Sequence, residues 1–288
     1  MGTIKHIPGL ESIQRSYDTF LVDAWGVLHD GTDCYPGVKH CLEQLAGQGK
    51  RVIVVSNAAR RQDAISEELE RVGITKNLYQ MIVSSGELTW QALRRGSFAK
   101  QFGKTGYYLG PERSKSILNG LNFRWLESLE GASFVLNTGA PTGNPPNSNS
   151  LAPLLEKMVT RQLPMVCANP DQVAVRSGEL GISAGAIARH YQSLGGGPVV
   201  YYGKPHAAIY ELAMGESTGI DKSRVLMVGD AFETDISGAV NYGIDSLLIA
   251  GGIHDSELRP LSEEIVARSA KTYGAKPKYF CRYFSLQG

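Results

Sequence analysis

Five polar side chains follow short apolar runs of the chain, namely Asp23, Ser56, Asn57, Lys204 and Asp230. Two carboxylates can hold a divalent cation through oxygen ligands. A hydroxyl, an amide and an ammonium group can bind the non-bridging oxygens of a phosphoryl group. Asp23 could then attack phosphorus and form an aspartyl-phosphate, while the cation and Lys204 offset the charge of the transition state. These residue types indicate phosphoryl transfer, which depends above all on positioning and electrostatics.

The elements that must position these groups are short strands that alternate with helices. Apolar runs that predict strands lie at 20–22, 51–55, 81–83, 199–202, 225–228 and 246–250. Polar residues or glycine follow directly after each run. Because open α/β sheets bind ligands at the carboxyl ends of their strands, the polar residues are expected to meet at one edge. The alternation predicts an α/β fold with a doubly wound parallel sheet.

The middle of the chain predicts a second α/β domain inserted into the first. Its own strands are expected near 107–110, 133–137 and 165–167, with a helix over 151–161. The segment 139–149 is rich in Gly, Pro, Asn and Ser and predicts a long loop. We therefore expect a core formed by residues 1–87 and 200–288, and an inserted cap formed by residues 88–199.

Four stretches in this order resemble the motifs of the haloacid dehalogenase (HAD) superfamily. They are Asp23-Ala24-Trp25-Gly26-Val27-Leu28, Val55-Ser56-Asn57, Gly203-Lys204-Pro205 and Gly229-Asp230-Ala231-Phe232-Glu233-Thr234-Asp235. Asn169-Pro170-Asp171 and the large insert are similar to the class IIA branch of NagD-like and p-nitrophenylphosphatase-like enzymes. The resemblance covers about residues 17 to 258 and implies a HAD-like Rossmannoid core with a cap.

The resemblance also implies a role for each matching residue. Asp23 would be the nucleophile and a Mg²⁺ ligand, with the backbone carbonyl of Trp25 and the carboxylate of Asp230 as further ligands. Ser56, Asn57 and Lys204 would bind the phosphoryl group. Asp235 would support the metal site without binding the metal. In the cap, Asn169 and Asp171 would face the substrate or close the entrance.

Trp25 is the main departure from the family pattern, which usually has a second aspartate at this position. That aspartate protonates the leaving oxygen and later activates water, and an indole cannot exchange a proton near neutral pH. Loss of a general acid/base costs about 10² to 10⁴ in rate. His29, Asp30 and His206 are candidates to replace it. A substrate with a good leaving group would not need an acid in the first step.

Each motif residue also has a purely structural interpretation. Asp23 and Asp230 could cap turns or helices, and Ser56-Asn57 could cap a helix that starts near Ala58. Lys204 could be a solvated loop lysine. The order and context of the motifs favour the functional interpretation.

The sequence therefore predicts a slow, Mg²⁺-dependent phosphoric monoester hydrolase that acts on a small phosphorylated metabolite. Two alternatives stay open. One is a catalytically degenerate protein that binds a phospholigand, and the other is a phosphotransferase that passes the aspartyl-phosphate to an acceptor other than water.

Composition excludes several other classes of protein. The 288 residues carry a formal net charge of +1, and no basic stripe or long apolar run is present, so neither nucleic acid nor a membrane is an expected partner. The four cysteines form no CxxC pair, and this spacing argues against a zinc site. So few cysteines in a chain of this length favour a reducing, cytoplasmic location. Residues 1–15 lack the apolar run of a signal peptide.

Capped phosphatases of the resembled branch often pair through their caps, so the resemblance implies a homodimer.

Overall fold

The computed structural model describes residues 3–142, 145, 147–176, 179–215 and 220–287. The chain divides into two compact units. Unit 1 comprises Met1–Ser56, Asp63–Val83 and Lys204–Gly288, and unit 2 comprises Asn57–Gln62 and Ser84–Gly203.

The strands, numbered along the chain, are β1 (Lys5–His6), β2 (Thr19–Val22), β3 (Arg51–Ser56), β4 (Met81–Ser84), β5 (Thr105–Leu109), β6 (Arg124–Leu126), β7 (Phe134–Asn137), β8 (Met165–Cys167), β9 (Val173–Arg176), β10 (Glu179–Ile182), β11 (Val199–Tyr201), β12 (Val225–Gly229), β13 (Asp245–Ile249) and β14 (Tyr279–Cys281). The α-helices are α1 (Val38–Gly47), α2 (Gln62–Arg71), α3 (Ser85–Arg94), α4 (Gly96–Phe102), α5 (Ala152–Thr160), α6 (Ala184–Ser193), α7 (Ala207–Met214), α8 (Ser237–Tyr242) and α9 (Glu263–Tyr273).

Unit 1 is built on a seven-stranded sheet with the order β1-β14-β13-β12-β2-β3-β4. Parallel pairing joins β12 to β2 and β2 to β3, with Val228 and Val54 both opposite Val22. The residues of β2 and β12 are buried throughout, as expected for strands covered on both faces. From the β2–β12 pair, successive strands are added on opposite sides, β3 and β4 beside β2, and β13 and β14 beside β12. Such a switch point is where open α/β sheets bind ligands, and it confirms the predicted fold class.

Unit 2 contains a five-stranded sheet with the order β11-β8-β7-β5-β6 and an antiparallel pair formed by β9 and β10. The pairings within the larger sheet are parallel. Helices α5 and α6 pack apolar side chains against this sheet, with Leu155, Met158, Ile187 and Tyr191 in one buried cluster. Unit 2 therefore has a hydrophobic core of its own.

The strand before Lys204 differs from the sequence interpretation. The sequence pattern predicts that the run 199–202 belongs to the same sheet as the strand before Asp23, but β11 pairs with β8 in the sheet of unit 2. The boundaries of the units also differ from the predicted insert 88–199. Residues 57–62 join unit 2 because Ser84 Oγ donates to the Arg60 carbonyl at 2.6 Å and the Gly86 amide donates to the Ala58 carbonyl at 3.1 Å.

The predicted loop 139–149 falls partly outside the described residues, at 143, 144 and 146. Its described residues contain no α-helix or strand, and a short 3₁₀ turn begins at Asn149. Within the described part of the chain, no helix has the length and apolar character needed to cross a membrane.

Candidate active site

Asp23 and Asp230 lie at the switch point of the sheet in unit 1. Asp23 follows the last residue of β2, and Asp230 follows the last residue of the neighbouring β12. Ser56 ends β3 on the other side of β2. The side chains are almost entirely buried, with 9 % of Asp23, 7 % of Ser56 and 3 % of Asp230 exposed. The carboxyl ends of three adjacent strands thus bring these predicted residues to one edge.

Lys204 is buried among the acidic residues, with an exposed fraction of 1 %. Its Nζ donates to Asp23 Oδ1 at 2.7 Å and to the carbonyl of Val55 at 2.9 Å. Asp235 Oδ1 also lies 2.7 Å from Nζ, in an ion pair without hydrogen-bond geometry. The interpretation of Lys204 as a solvated loop lysine is therefore wrong.

Asp235 is fully buried in a π-helical turn over Phe232–Ile236. The turn is marked by the Ile236 amide, which donates to the carbonyl of Ala231 at 3.2 Å. Asp235 Oδ2 accepts a 3.0 Å hydrogen bond from the Ala231 amide. One carboxylate thus orders the backbone just after Asp230 and also contacts Lys204. π-Helical turns are rare and often occur at functional sites.

Asp230 is enclosed by two glycines and one backbone donor. The Ile253 amide donates to Asp230 Oδ2 at 2.7 Å. A Cβ at Gly26, where φ is +82°, would lie 2.0 Å from Oδ2, and a Cβ at Gly252 would lie 2.2 Å from the same atom. Side chains at these two positions are therefore incompatible with the observed carboxylate position.

Burial raises the pKa of Asp230 well above its ordinary value, and the neighbouring charges of Asp23 and Asp235 raise it further. The hydrogen bond from the Ile253 amide and the positive charge of Lys204 lower the pKa of Asp230, but they do not cancel the increase. The protein groups of the site therefore do not fully stabilise the ionised form of Asp230 beside the other two carboxylates.

A divalent cation fits this cluster of three carboxylates. Asp23, Asp230 and Asp235 each offer a carboxylate oxygen, and these oxygens lie within 4.8 Å of one another. Lys204 supplies one positive charge against the three carboxylates. Hard oxygen donors of this kind suit Mg²⁺ or Ca²⁺ better than softer metals.

Trp25 lies in a tight loop after β2. The Leu28 amide donates to the Ala24 carbonyl, and the Gly26 amide donates to the His29 carbonyl, both at 2.9 Å. The side chain of Trp25 is partly buried. Trp25 lies two positions after Asp23 in this loop.

The candidate replacements for the missing acid/base have different surroundings. His29 is 2 % exposed, and its Nδ1 accepts from the Gly31 amide at 3.0 Å. Asp30 Oδ1 accepts from the amides of Thr32 and Asp33, and these hydrogen bonds lower the pKa of Asp30. Asp30 is thus held as a carboxylate by its own turn. His206 lies exposed just before α7.

The remaining predicted residues, Asn57, Asn169 and Asp171, belong to unit 2. Asn57 Nδ2 donates to Asp171 Oδ1 at 2.7 Å, and Asn57 Oδ1 accepts from Ser85 Oγ at 3.0 Å. Asn169 Oδ1 accepts from the Asp171 amide at 2.9 Å. Helix α2 begins only at Gln62, so the alternative that Asn57 caps a helix from Ala58 is wrong.

Sequence reasoning missed Ser85 and the turn that contains Gly252 and Ile253. Ser85 is the first residue of α3 and is fully buried. A signal for the turn was present, because two glycines follow β13 and glycine often marks a close backbone approach. No sequence pattern links that turn to Asp230 or Ser85 to Asn57.

Comparison with known families agrees with this geometry. A model of haloacid dehalogenase-like hydrolases matches residues 20–124, and a HAD-hydrolase-like model matches residues 201–280, which together cover more than half of the chain. The chain belongs to the haloacid dehalogenase superfamily. The matched segments contain Asp23, Ser56, Asn57, Lys204, Asp230 and Asp235.

Individual relatives of this HAD protein extend over nearly its whole length. The acid sugar phosphatase of Staphylococcus aureus is 25% identical over an aligned length of 252 residues, and the alignment covers 84% of this chain and 90% of that protein. The solved structure of a haloacid dehalogenase-like hydrolase from Brucella suis 1330 is 29% identical with a TM-score of 0.81, covering 96% of this chain and 99% of the other.

The 4-nitrophenylphosphatase of Thermotoga maritima shares the fold, with a TM-score of 0.71, 21% identity and coverage of 95% and 97%. The Staphylococcus aureus and Brucella suis relatives are consistent with the class IIA branch and support a phosphoric monoester hydrolase.

Proposed function

We propose that the protein is a Mg²⁺-dependent phosphatase that hydrolyses a small phosphorylated metabolite through an aspartyl-phosphate on Asp23. The observation that carries this proposal is the position of Lys204 Nζ, 2.7 Å from both Asp23 and Asp235. A buried ammonium beside the nucleophile provides positive charge where phosphoryl oxygens would bind.

Asp23, Asp230 and the backbone carbonyl of Trp25 would hold the cation in this proposal. When bound, Mg²⁺ would neutralise phosphoryl charge. Ser56, Asn57 and Lys204 would bind the non-bridging oxygens.

In the first step, a carboxylate oxygen of Asp23 forms a bond to phosphorus as the bond from phosphorus to the leaving oxygen breaks. Water donates a proton to a strongly basic leaving alkoxide, because Trp25 cannot. In the second step, water attacks phosphorus and loses a proton to solvent, the phosphorus–oxygen bond to Asp23 breaks to regenerate the carboxylate, and inorganic phosphate leaves. Both steps conserve charge without any oxidant or reductant.

Trp25 is expected to make turnover slow. Both steps in the family mechanism use the acid/base aspartate that this chain lacks, and general acid/base catalysis is worth about 10² to 10⁴ in rate. Substrates with a good leaving group, such as p-nitrophenyl phosphate, would lose less in the first step than alkyl phosphates.

Unit 2 is proposed as the cap that selects the substrate, with Asn169 and Asp171 in its substrate-facing loop. The relative named an acid sugar phosphatase makes a phosphorylated sugar the first substrate class to screen. A homodimer formed through the caps is a further part of this proposal, and size-exclusion chromatography coupled to light scattering would test it.

The test of the proposed function is phosphate release from p-nitrophenyl phosphate, with Mg²⁺ and with EDTA. We expect Mg²⁺-dependent release by the wild type and none by Asp23→Asn, which is of the same size but cannot act as the nucleophile. Asp33→Asn is the matched control, since Asp33 is exposed in a nearby loop. Equal release by wild type and Asp23→Asn would exclude the proposed mechanism.

Trp25 also favours a second candidate function, binding of a phospholigand with little or no turnover. Binding of inorganic phosphate without hydrolysis of any phosphate ester would support this alternative. A phosphotransferase would instead retain phosphate on Asp23 until an acceptor other than water is added.

A further inference from the structure

The turn after β13 reaches Asp230 through one backbone hydrogen bond. The Ile253 amide donates to Asp230 Oδ2 at 2.7 Å, and Gly252 leaves no space for a side chain beside that oxygen. The Asp255 amide donates to the Gly252 carbonyl, and the Leu258 amide donates to the His254 carbonyl, both at 3.0 Å. Residues 252–258 thus form an ordered turn, which we call the Asp230 turn.

His254 joins this turn to the backbone that follows Asp230. The Phe232 amide donates to His254 Nε2 at 3.4 Å, and His254 Nδ1 lies 3.0 Å from Glu257 Oε2. Because a backbone amide can only donate, Nε2 must accept, and the proton must lie on Nδ1 facing the carboxylate. The hydrogen-bond network therefore assigns a neutral imidazole with one defined tautomer.

Glu257 is itself anchored by helix α9. Its Oε1 accepts from Ser269 Oγ at 2.6 Å, and its Oε2 accepts from the hydroxyl of Tyr273 at 3.1 Å. Burial acts to raise the pKa of Glu257, but hydrogen bonds from Ser269, Tyr273 and His254 hold it below its ordinary value. Glu257 is thus kept ionised and able to accept a hydrogen bond from Nδ1.

Aromatic packing restricts the same imidazole from its sides. The ring centroid of His254 lies 5.1 Å from that of Phe232 and 5.0 Å from that of Tyr273. The rings of Phe232 and Tyr273 are stacked on each other at 5.2 Å with an interplanar angle of 4°. Both the tautomer and the orientation of His254 are therefore determined by its neighbours.

We propose that His254 is a positioning residue for the cation site, which acts by holding the Asp230 turn against the backbone of Phe232. The inference rests on the proposed function, in which Asp230 binds Mg²⁺. Two hydrogen bonds connect the Asp230 turn to the segment 230–232. In one, the Ile253 amide donates to Asp230, and in the other, the Phe232 amide donates to His254 Nε2. Without the second bond, the Ile253 amide would be less well placed and Asp230 less well oriented. Groups that orient metal ligands in this way typically contribute about 10- to 100-fold to metal affinity.

The test is direct titration of Mg²⁺ into the purified full-length protein by calorimetry, combined with amide hydrogen exchange in the metal-free state. We expect His254→Ala to bind Mg²⁺ about tenfold more weakly and to exchange the Phe232 amide faster than the wild type. His254→Gln, whose side-chain oxygen can accept from Phe232, should recover most of the affinity. His40→Ala, an exposed histidine on α1, is the matched control and should bind as the wild type does.

Three further results separate the inference from the proposed function. Wild-type Mg²⁺ affinity in His254→Ala, together with lost affinity in Asp230→Asn, overturns the role of His254 alone. Wild-type affinity in Asp230→Asn overturns the metal site itself. If His254→Ala does not fold, Glu257→Leu replaces it, because leucine has no oxygen to accept the hydrogen bond from Nδ1 that orients the ring. Wild-type Mg²⁺ affinity and Phe232 exchange in Glu257→Leu would then overturn the inference.

Discussion

Lys204 Nζ lies 2.7 Å from Asp23 Oδ1, although 181 positions of the chain separate the two residues. Both side chains are withdrawn from solvent, and Asp235 and the carbonyl of Val55 also contact the ammonium. A charge in such a place is tolerated only with close partners. The lysine is therefore both an electrostatic support of the folded site and a candidate ligand of phosphate.

Lys204→Met should destabilise the metal-free protein. The change leaves buried carboxylates without their cationic partner, and breaking a buried ion pair typically costs about 3–5 kcal/mol. Urea unfolding in EDTA measures this difference. Lys271→Met, at an exposed position on α9, is the control and should be nearly neutral. Unchanged stability of Lys204→Met would mean that the ammonium is not essential to the charge balance of the site.

Trp25→Asp should accelerate hydrolysis of alkyl phosphates. The new carboxylate would occupy the position of the family's acid/base group, and we expect an increase in kcat of up to about 10²-fold. Trp25→Asn introduces a side chain of nearly the same size as aspartate that cannot exchange a proton, and it should give no such increase in kcat. An equal response of the two variants would show that side-chain volume, rather than proton transfer, limits the wild type.

Ser85→Ala should weaken the binding of inorganic phosphate without destroying the fold. The hydroxyl of Ser85 donates to Asn57 Oδ1 at 3.0 Å and so orients the amide proposed to bind phosphate. One such hydrogen bond is worth about 1 kcal/mol, so we expect the Ki of inorganic phosphate to rise about three- to tenfold. Ser114→Ala, another buried serine of unit 2, is the control. An unchanged Ki would argue against a role of Asn57 in phosphate binding.

Asp18→Asn should affect stability but not catalysis. Asp18 precedes β2, at the opposite end of that strand from Asp23, and its hydrogen bond from Arg224 lowers its pKa to about 2. A carboxyl group whose pKa is depressed by folding stabilises the protein above its unfolded pKa of about 3.9, and this stabilisation disappears as pH falls toward 2.

The side chain of Asp18 is largely exposed, so the effect at neutral pH should be small. Thermal unfolding between pH 2 and 7 would show wild type and Asp18→Asn converging at the acidic end, with equal kcat at pH 7. A difference that grows toward pH 2 would contradict this assignment.

The sequence was sufficient to predict that three of the candidate residues lie close together. Asp23 and Asp230 follow buried strands and Ser56 ends a third, and the geometry of a parallel sheet brings the carboxyl ends of such strands together. This rule needs only the identity of the strands and their shared direction.

Other features depend on side-chain contacts that no local pattern encodes. The three-residue strand β11 carries no signal for the sheet it joins, and it pairs with β8 although Lys204 enters the site of unit 1. The hydrogen bonds of Asn57 to Ser85 and Asp171, and of His254 to Phe232, join residues distant in sequence. The family resemblance implies that Asp235 supports the site, but no sequence pattern predicts its contact with Lys204.

Acid quenching during turnover of radiolabelled p-nitrophenyl phosphate tests the central claim most directly. With Mg²⁺ present, we expect the label on a peptide that contains Asp23, and it should accumulate because Trp25 slows the attack of water. Asp23→Asn and Lys204→Met should carry no label. Phosphate release by the wild type without any label at Asp23, or with release unchanged in Asp23→Asn, would contradict the account.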